Sequence, residues 1–94
     1  MATWKLHRFL VEQYVPQLDE PTATTLAARL ERASAQMRDS GAPIRWVDAV
    51  ALPDEENLMC FIEADTIEHV IQASRLAGTA AVHVQRVIAL NPRR

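Results

Sequence analysis

Two glutamates, Glu12 and Glu63, are the side chains of this 94-residue chain whose type and setting best suit proton transfer or cation binding. Each belongs to a run in which polar and apolar residues alternate, and each alternates with an aromatic residue, Tyr14 in the first run and Phe61 in the second. A carboxyl group that is desolvated among aromatic rings has a raised pKa and can carry protons. The pair therefore indicates either a general acid/base site or the polar part of a ligand cavity.

A salt bridge is the structural alternative for Glu63. On neighbouring antiparallel strands the two glutamates would lie toward opposite ends, which makes Arg8 the expected cross-strand neighbour of Glu63. An exposed ion pair of this kind contributes only about 0.2–1 kcal/mol to stability. We keep both interpretations, and for Glu63 the salt bridge is the simpler one.

The three histidines, His7, His69 and His83, do not form a ready metal site, because none is spaced as i, i+4 on a helix or i, i+2 on a strand. We expect His69 to be solvated, since it lies off the apolar stripe of its helix, and His7 to belong to an exposed strand start. His83 begins the last strand and approaches Glu12 if the register allows. An imidazole nitrogen and a carboxylate together suit nickel or another borderline divalent ion.

Several classes of protein are excluded by composition. Cys60 is the single cysteine, so an internal disulfide and a CxxC metal pair are impossible, and we expect a buried, inert thiol. Ten basic and twelve acidic side chains give a formal net charge of −2, which argues against nucleic-acid binding. No apolar run approaches the roughly 18 residues that span a bilayer, and the N-terminal residues lack a signal-peptide pattern. We therefore predict a cytoplasmic protein without a nucleic-acid or membrane partner.

The elements that must position these residues follow from the hydrophobic period. Strands are predicted at 6–15, 43–52, 57–64 and 82–90, and helices at 19–39 and 66–77. The helix caps are predicted at Asp19 or Thr22 and at Asp65, and the helix ends at Ser40-Gly41 and Gly78. The β-α-β-β-α-β order is typical of a ferredoxin-like α+β fold, with two helices on one face of a four-stranded antiparallel sheet. We predict a single domain, 1–94, with a core at about 6–90 and a tail at 91–94.

Only one face of such a sheet is covered by helices, and strand alternation assigns each residue to a face. The covered face is expected to contain Phe9, Val11, Leu58, Cys60, Ile62 and Val84. The open face is expected to contain Leu10, Glu12, Tyr14, Trp46, Asp48, Met59, Phe61 and Glu63. So many apolar side chains exceed what a monomer usually exposes in one patch. We therefore predict a homodimer of the dimeric α+β barrel type, either face-to-face or edge-sharing, that covers this face.

The predicted ligand site consists of Glu12, Tyr14, Trp46, Phe61 and Glu63. Tyr14 and Trp46 would form its walls and offer hydrogen bonds, and the carboxylates would set its polarity or meet a cation. We predict a small homodimeric ligand-binding or sensing module whose ligand is a small molecule, and we assign no catalytic residue. The alternative is a cofactor-free isomerase or oxygenase-like enzyme that uses a desolvated glutamate.

Three stretches carry a resemblance to a known family: Leu10-Val11-Glu12-Gln13-Tyr14, residues 53–64, and Ser74-Arg75-Leu76-Ala77-Gly78. They resemble a bacterial family of short ferredoxin-like proteins, mostly of unknown function, whose characterised branch is nickel-binding and dimeric. The resemblance spans about residues 8–88 and implies the fold, a homodimer and, by resemblance alone, nickel as a candidate cofactor. That branch has histidines where this chain has Glu12-Gln13-Tyr14 and Thr79, so we assign no metal ligand.

Overall fold

Residues 5–79 and 83–90 are described by a computed structural model of the chain. Their elements are β1 (His7–Tyr14), α1 (Glu20–Asp39), β2 (Ile44–Leu52), β3 (Asn57–Ala64), α2 (Ile67–Leu76) and β4 (His83–Val87). This is the predicted order, and it confirms the ferredoxin-like α+β fold. The predicted tail at 91–94 and Val82, the first residue of the predicted last strand, lie outside the described residues.

The four strands form one antiparallel sheet in the order β2-β3-β1-β4, so β1 and β3 are central. Arg8 on β1 pairs with Glu63 on β3, as predicted. Toward the other end of β1, Glu12 pairs with Met59 on β3 and with His83 on β4. Because directly opposed residues of antiparallel strands point to the same face, this register fixes which side chains meet on the open face.

The helices begin and end where local chemistry predicts, with one exception. The Asp19 carboxylate accepts a hydrogen bond of 2.9 Å from the Thr22 backbone N–H, which holds the pKa of Asp19 below its usual value. At the start of α2 the predicted cap Asp65 is wrong: the cap is Thr66, whose hydroxyl accepts from the His69 backbone N–H. Asp65 lies one residue too early and instead meets His69 Nδ1 at 2.6 Å. Within the described residues, neither helix has the length and apolar character that crossing a bilayer requires.

The core lies between the helices and the covered face of the sheet. Its fully buried side chains include Val11, Leu30, Ile44, Leu58, Cys60, Ile62 and Val70. The predicted burial of Cys60 is confirmed, and this burial raises the pKa of its thiol to about 12. Gln13 also lies on this face and is only 3% exposed, and its Nε2 has no hydrogen-bond partner among the described residues.

A β-bulge in β2 changes the face of one predicted site residue. Trp46 pairs with Ile62, and Asp48 pairs with Phe61, so two steps along β2 correspond to one step along β3 and Val47 is the extra residue. Asp48 therefore keeps its predicted place on the open face. Trp46 does not, because it lies opposite Ile62 on the covered face and packs against the core. The prediction that Trp46 lies on the open face is wrong.

Candidate functional site

The open face carries four of the five predicted site residues, Glu12, Tyr14, Phe61 and Glu63. Phe61 lies opposite Leu10 in the middle of the face and is half-buried, as is Leu10. The two glutamates lie on either side of this apolar centre. Their β1 positions, Glu12 itself and Arg8 opposite Glu63, are four residues apart, which corresponds to about 13 Å along a strand. The open face thus has an apolar centre between two charged ends.

One of these ends, which we call the arginine end, consists of Arg8, Arg45 and Glu63. Arg8 Nη2 lies 2.9 Å from Glu63 Oε2, and Arg45 donates from Nη2 and Nε to Glu63 Oε1 at 2.6 and 3.1 Å. Partial burial raises the pKa of Glu63, but the hydrogen bonds and charges of the two arginines outweigh it and the pKa is lowered. Both carboxylate oxygens are therefore engaged, which favours the salt bridge over proton transfer at Glu63.

The opposite end, which we call the histidine end, consists of Glu12, Asn57 and His83. His83 pairs directly with Glu12 across the β1–β4 ladder. Asn57 Nδ2 donates to Glu12 Oε2 at 3.2 Å, and no described residue hydrogen-bonds the other carboxylate oxygen. A shallow cavity of about 240 Å³ opens here, bordered also by Tyr14 and Glu55. This end keeps an exposed imidazole and a carboxylate oxygen available to a ligand.

The side chain of Tyr14 is held beside this cavity by Glu56. The Tyr14 hydroxyl donates to Glu56 Oε1 at 2.9 Å, and the Gln17 backbone N–H donates to Glu56 Oε2 at 2.6 Å. The hydrogen bond to Glu56 and the charge of that carboxylate raise the pKa of Tyr14. The pKa of Glu56 is lowered, first by the hydrogen bond from the Gln17 backbone N–H and then by the one from Tyr14. Glu56 adopts a left-handed backbone conformation, with φ of 52°, after the short 3₁₀ turn at Pro53–Glu55. The phenol is thereby fixed as a donor at the rim of the histidine end.

The possible metal ligands at the histidine end are of the kinds that a borderline metal ion prefers, but they are few in number. Imidazole nitrogen and carboxylate oxygen are ligands of nickel, zinc and copper in proteins. Across residues 5–79 and 83–90, however, no group of three or more histidine, cysteine, aspartate or glutamate side chains is placed to hold one ion. One copy of the chain therefore offers Glu12 and His83 as a pair of ligands, which is half of a four-coordinate site.

Sequence reasoning missed two partners that define these ends, Arg45 at one and Asn57 at the other. Both lie in runs that were identified as strands, and the β2–β3 register places Arg45 opposite Glu63. The contact between Asn57 and Glu12 depends in turn on the β1–β3 register. Neither contact can be read from the sequence, because a strand pattern specifies the face of a residue but not its cross-strand neighbour. Trp46, the fifth predicted site residue, lines a separate groove between α1 and β2.

Known proteins resemble the chain both in sequence and in fold. The family described as "Nickel responsive protein SCO4226-like" matches residues 9–87. The crystal structure of SCO4226 from Streptomyces coelicolor A3(2) is similar, with a TM-score of 0.68 over 89% of this chain and 99% of that chain. Sequence identity to it is 15%, so this likeness establishes the fold alone. No curated protein sequence matches the chain. Because the family match spans most of the sequence and agrees with the predicted resemblance, the chain belongs to the SCO4226-like family of nickel-responsive proteins.

Proposed function

We propose that the chain forms a homodimeric module that reversibly binds a divalent transition-metal ion, nickel being the first ion to test, at the histidine end. The observation that carries this proposal is the direct opposition of Glu12 and His83 across the β1–β4 ladder. A carboxylate and an imidazole that face each other on adjacent strands are close enough to share one ion. The family description as nickel-responsive supports the same class of ligand.

Asn57, the other residue in contact with Glu12 at this end, orients the Glu12 carboxylate for metal binding. The Asn57 amide fixes one carboxylate oxygen, at 3.2 Å, and so limits the rotation of the side chain. Groups that hydrogen-bond a metal ligand from behind orient it and typically change metal affinity by about 10–100-fold. Asn57 is thus a positioning residue for Glu12.

A second copy of the chain supplies the ligands that one copy lacks. Two protein ligands fall short of the four that a planar or tetragonal nickel site uses, and the same pair from a second copy would bring the number to four. The apolar centre of the open face supports this arrangement: Leu10 and Phe61 are half-buried and Val50 is 49% exposed. Pairing two open faces, as in a dimeric α+β barrel, would remove this surface from water.

Such a shared site would link metal binding to assembly. An ion that binds the dimer and not the separate copies stabilises the dimer by mass action. The extent of dimerisation then reports the concentration of free metal, which is the property of a sensing module. The role proposed for the protein is therefore recognition of a metal ion rather than catalysis.

Isothermal titration with nickel tests the proposal, together with sedimentation at micromolar protein concentration. We expect one ion per dimer and a larger dimer fraction when nickel is present. Both His83→Ala and Glu12→Gln should weaken binding by at least about tenfold, since each removes a direct ligand. His69→Ala is the matched control, because His69 lies on α2, away from the open face, and its imidazole is held by Asp65. Unchanged nickel affinity in both ligand variants, or a monomer at all nickel concentrations, would contradict the proposal.

A further inference from the structure

A methionine lies next to the proposed metal ligands on the open face. Met59 on β3 pairs directly with Glu12 on β1, and Glu12 pairs directly with His83 on β4. Directly opposed residues of antiparallel strands point to the same face, so a thioether, a carboxylate and an imidazole form one row across three strands. Met59 is half-buried, whereas its neighbours in sequence, Leu58 and Cys60, are fully buried on the covered face. The sulfur of Met59 is therefore on the side of the sheet that a ligand can reach.

The spacing of this row allows its two outer side chains to reach one ion. Neighbouring strands lie about 4.8 Å apart, and β1 lies between β3 and β4. The backbones at Met59 and His83 are therefore separated by about 10 Å. Each of these side chains is long enough to cover half of that distance. An ion above Glu12 can thus be bound by the sulfur from one side and by an imidazole nitrogen from the other.

The three side chains of the row differ in the metal ions that they prefer. A thioether is a soft, neutral ligand that selects cuprous copper, an imidazole binds copper as well as nickel, and a carboxylate suits harder ions. Nickel binding as proposed above uses Glu12 and His83 and gains little from a thioether. Cuprous copper has the reverse preference and accepts few ligands, so a thioether and an imidazole from one chain come close to satisfying it.

The surroundings of Met59 also favour an ion of low charge. Val50 lies opposite Met59 on β2, and Phe61, two residues further along β3, lies opposite Leu10. These apolar side chains replace water beside the row. The loss of hydration costs a divalent ion more than a monovalent one, because the cost rises steeply with charge. The Met59 side of the row therefore suits a soft monovalent ion better than hydrated nickel.

We propose that the histidine end also binds cuprous copper, through the Met59 sulfur and an imidazole nitrogen of His83. This inference rests on the metal site proposed above, to which it adds a ligand and a second class of ion. The charge of Glu12 attracts any cation to the row, and the sulfur provides the preference for cuprous copper. The ion bound at this end thus depends on which neighbour joins His83, Glu12 for nickel and Met59 for cuprous copper.

Competition with bicinchoninic acid, a cuprous chelator, under anaerobic reducing conditions tests the proposal. We expect Met59→Leu to weaken cuprous binding by at least about tenfold and to leave nickel affinity within about twofold, because it removes the sulfur at nearly constant volume. Glu12→Gln should do the opposite and weaken nickel binding more than cuprous binding. His83→Ala should weaken the binding of both ions.

Two controls separate this site from sulfur atoms elsewhere in the chain. Met37→Leu makes the same substitution in the core, where Met37 on α1 is 6% exposed, and it should leave cuprous affinity unchanged. Cys60→Ala removes the buried thiol, and cuprous binding should persist in this variant. X-ray absorption of its copper complex should show copper–sulfur scattering that is lost when Met59→Leu is added.

The proposal is overturned if the chain does not compete for cuprous copper, if Met59→Leu and Met37→Leu change cuprous affinity equally, or if folded Cys60→Ala no longer binds the ion. In each of these cases, nickel binding that still depends on Glu12 and His83 leaves the function proposed above in place. Nickel binding that does not depend on them contradicts that function, whereas the effect of Met59→Leu on cuprous affinity decides the role of the sulfur separately.

Discussion

The two faces of the sheet are built from the same strands, but the side chains on one face are buried by the helices of this chain and those on the other are not. On the covered face, Ile62 is fully buried against the helices. Its neighbour in sequence, Phe61, lies on the open face and is only half-buried between Leu10 and Asp48. Around Ile62 the covered face thus obtains its packing from this chain. The open face offers apolar surface and polar groups that can still gain from a partner or ligand.

The same distinction separates the two charged ends of the open face. At the arginine end, Glu63 has both oxygens bound by guanidinium groups, so it has little left to offer a ligand. At the histidine end, the Glu12 carboxylate receives one amide hydrogen bond, and His83 is exposed. Two glutamates on adjacent strands and the same face therefore have different chemistry, because their cross-strand neighbours differ. A ligand is therefore expected at the histidine end, where Glu12 and His83 have fewer hydrogen bonds to other residues than Glu63 has.

The largest expected effect comes from shortening one side chain on each face. Ile62→Ala leaves a cavity in the core and should lower the free energy of unfolding by about 2–5 kcal/mol. Phe61→Ala removes a half-buried ring and should cost the monomer clearly less, while weakening self-association. Urea unfolding at low protein concentration measures the first effect, and sedimentation measures the second. Equal unfolding costs for the two variants would show that the open face is as fully packed as the covered face.

A smaller effect is expected at the arginine end, where stability should depend on pH. The pKa of Glu63 is lower in the folded chain than in the unfolded chain, so its ion pairs stabilise the fold above the unfolded value, near 4.5. This contribution is lost as pH falls through the lower, folded value. We expect Glu63→Gln to cost about 1 kcal/mol at neutral pH, given the partial exposure of Arg45, and to flatten the acid limb of the stability curve. Chemical unfolding at a series of pH values measures both.

Glu12→Gln is the matched control for that experiment, since it removes the same charge from the same face at the other end. It should cost clearly less stability at neutral pH than Glu63→Gln, because Glu12 accepts one amide hydrogen bond where Glu63 is bound by two arginines. Equal losses of stability at neutral pH in the two variants would mean that the two ends do not differ in the way their contacts indicate.

The smallest effect is a change in the titration of Tyr14, the single tyrosine of the chain. Its pKa is raised by the hydrogen bond to Glu56 and by the charge of that carboxylate. Glu56→Gln should therefore move the pKa of the phenol back toward its ordinary value of 10.0. The ultraviolet absorbance of tyrosinate measures this shift without interference from another tyrosine. An unchanged titration would show that Glu56 does not hold the phenol at the rim of the histidine end in solution.

Much of the fold could be predicted from local patterns, because each strand alternates and each helix carries its own start and stop signals. Residues 57–64 were assigned as a strand with the bounds that the structure has. Gly41 and Gly78 end their helices with φ of 102° and 72°, a conformation that glycine adopts without strain. The cap of α2 was misplaced by one residue because Asp65 and Thr66 are both good caps, and only the backbone geometry decides between them.

The candidate site was less predictable, because it depends on relations between strands. Glu12 and His83 are 71 positions apart in sequence, and only the β1–β4 register makes them neighbours. Trp46 was assigned to the wrong face because alternation holds only for an unbroken strand, and nothing in the local sequence identifies Val47 as an extra residue. The β2–β3 register places Arg45 opposite Glu63, and this contact makes that glutamate a salt-bridge residue.

The bulge at Val47 also affects how the molecule can associate with copies of itself. β2 is an edge strand, and an edge strand of regular pairing exposes backbone groups that can template the addition of a strand from another chain. The irregularity between Trp46 and Asp48 interrupts that repeat near the middle of the strand. A foreign strand could therefore not continue in register along the whole edge. The bulge that moves Trp46 to the covered face thereby also disfavours strand addition at the β2 edge of the sheet.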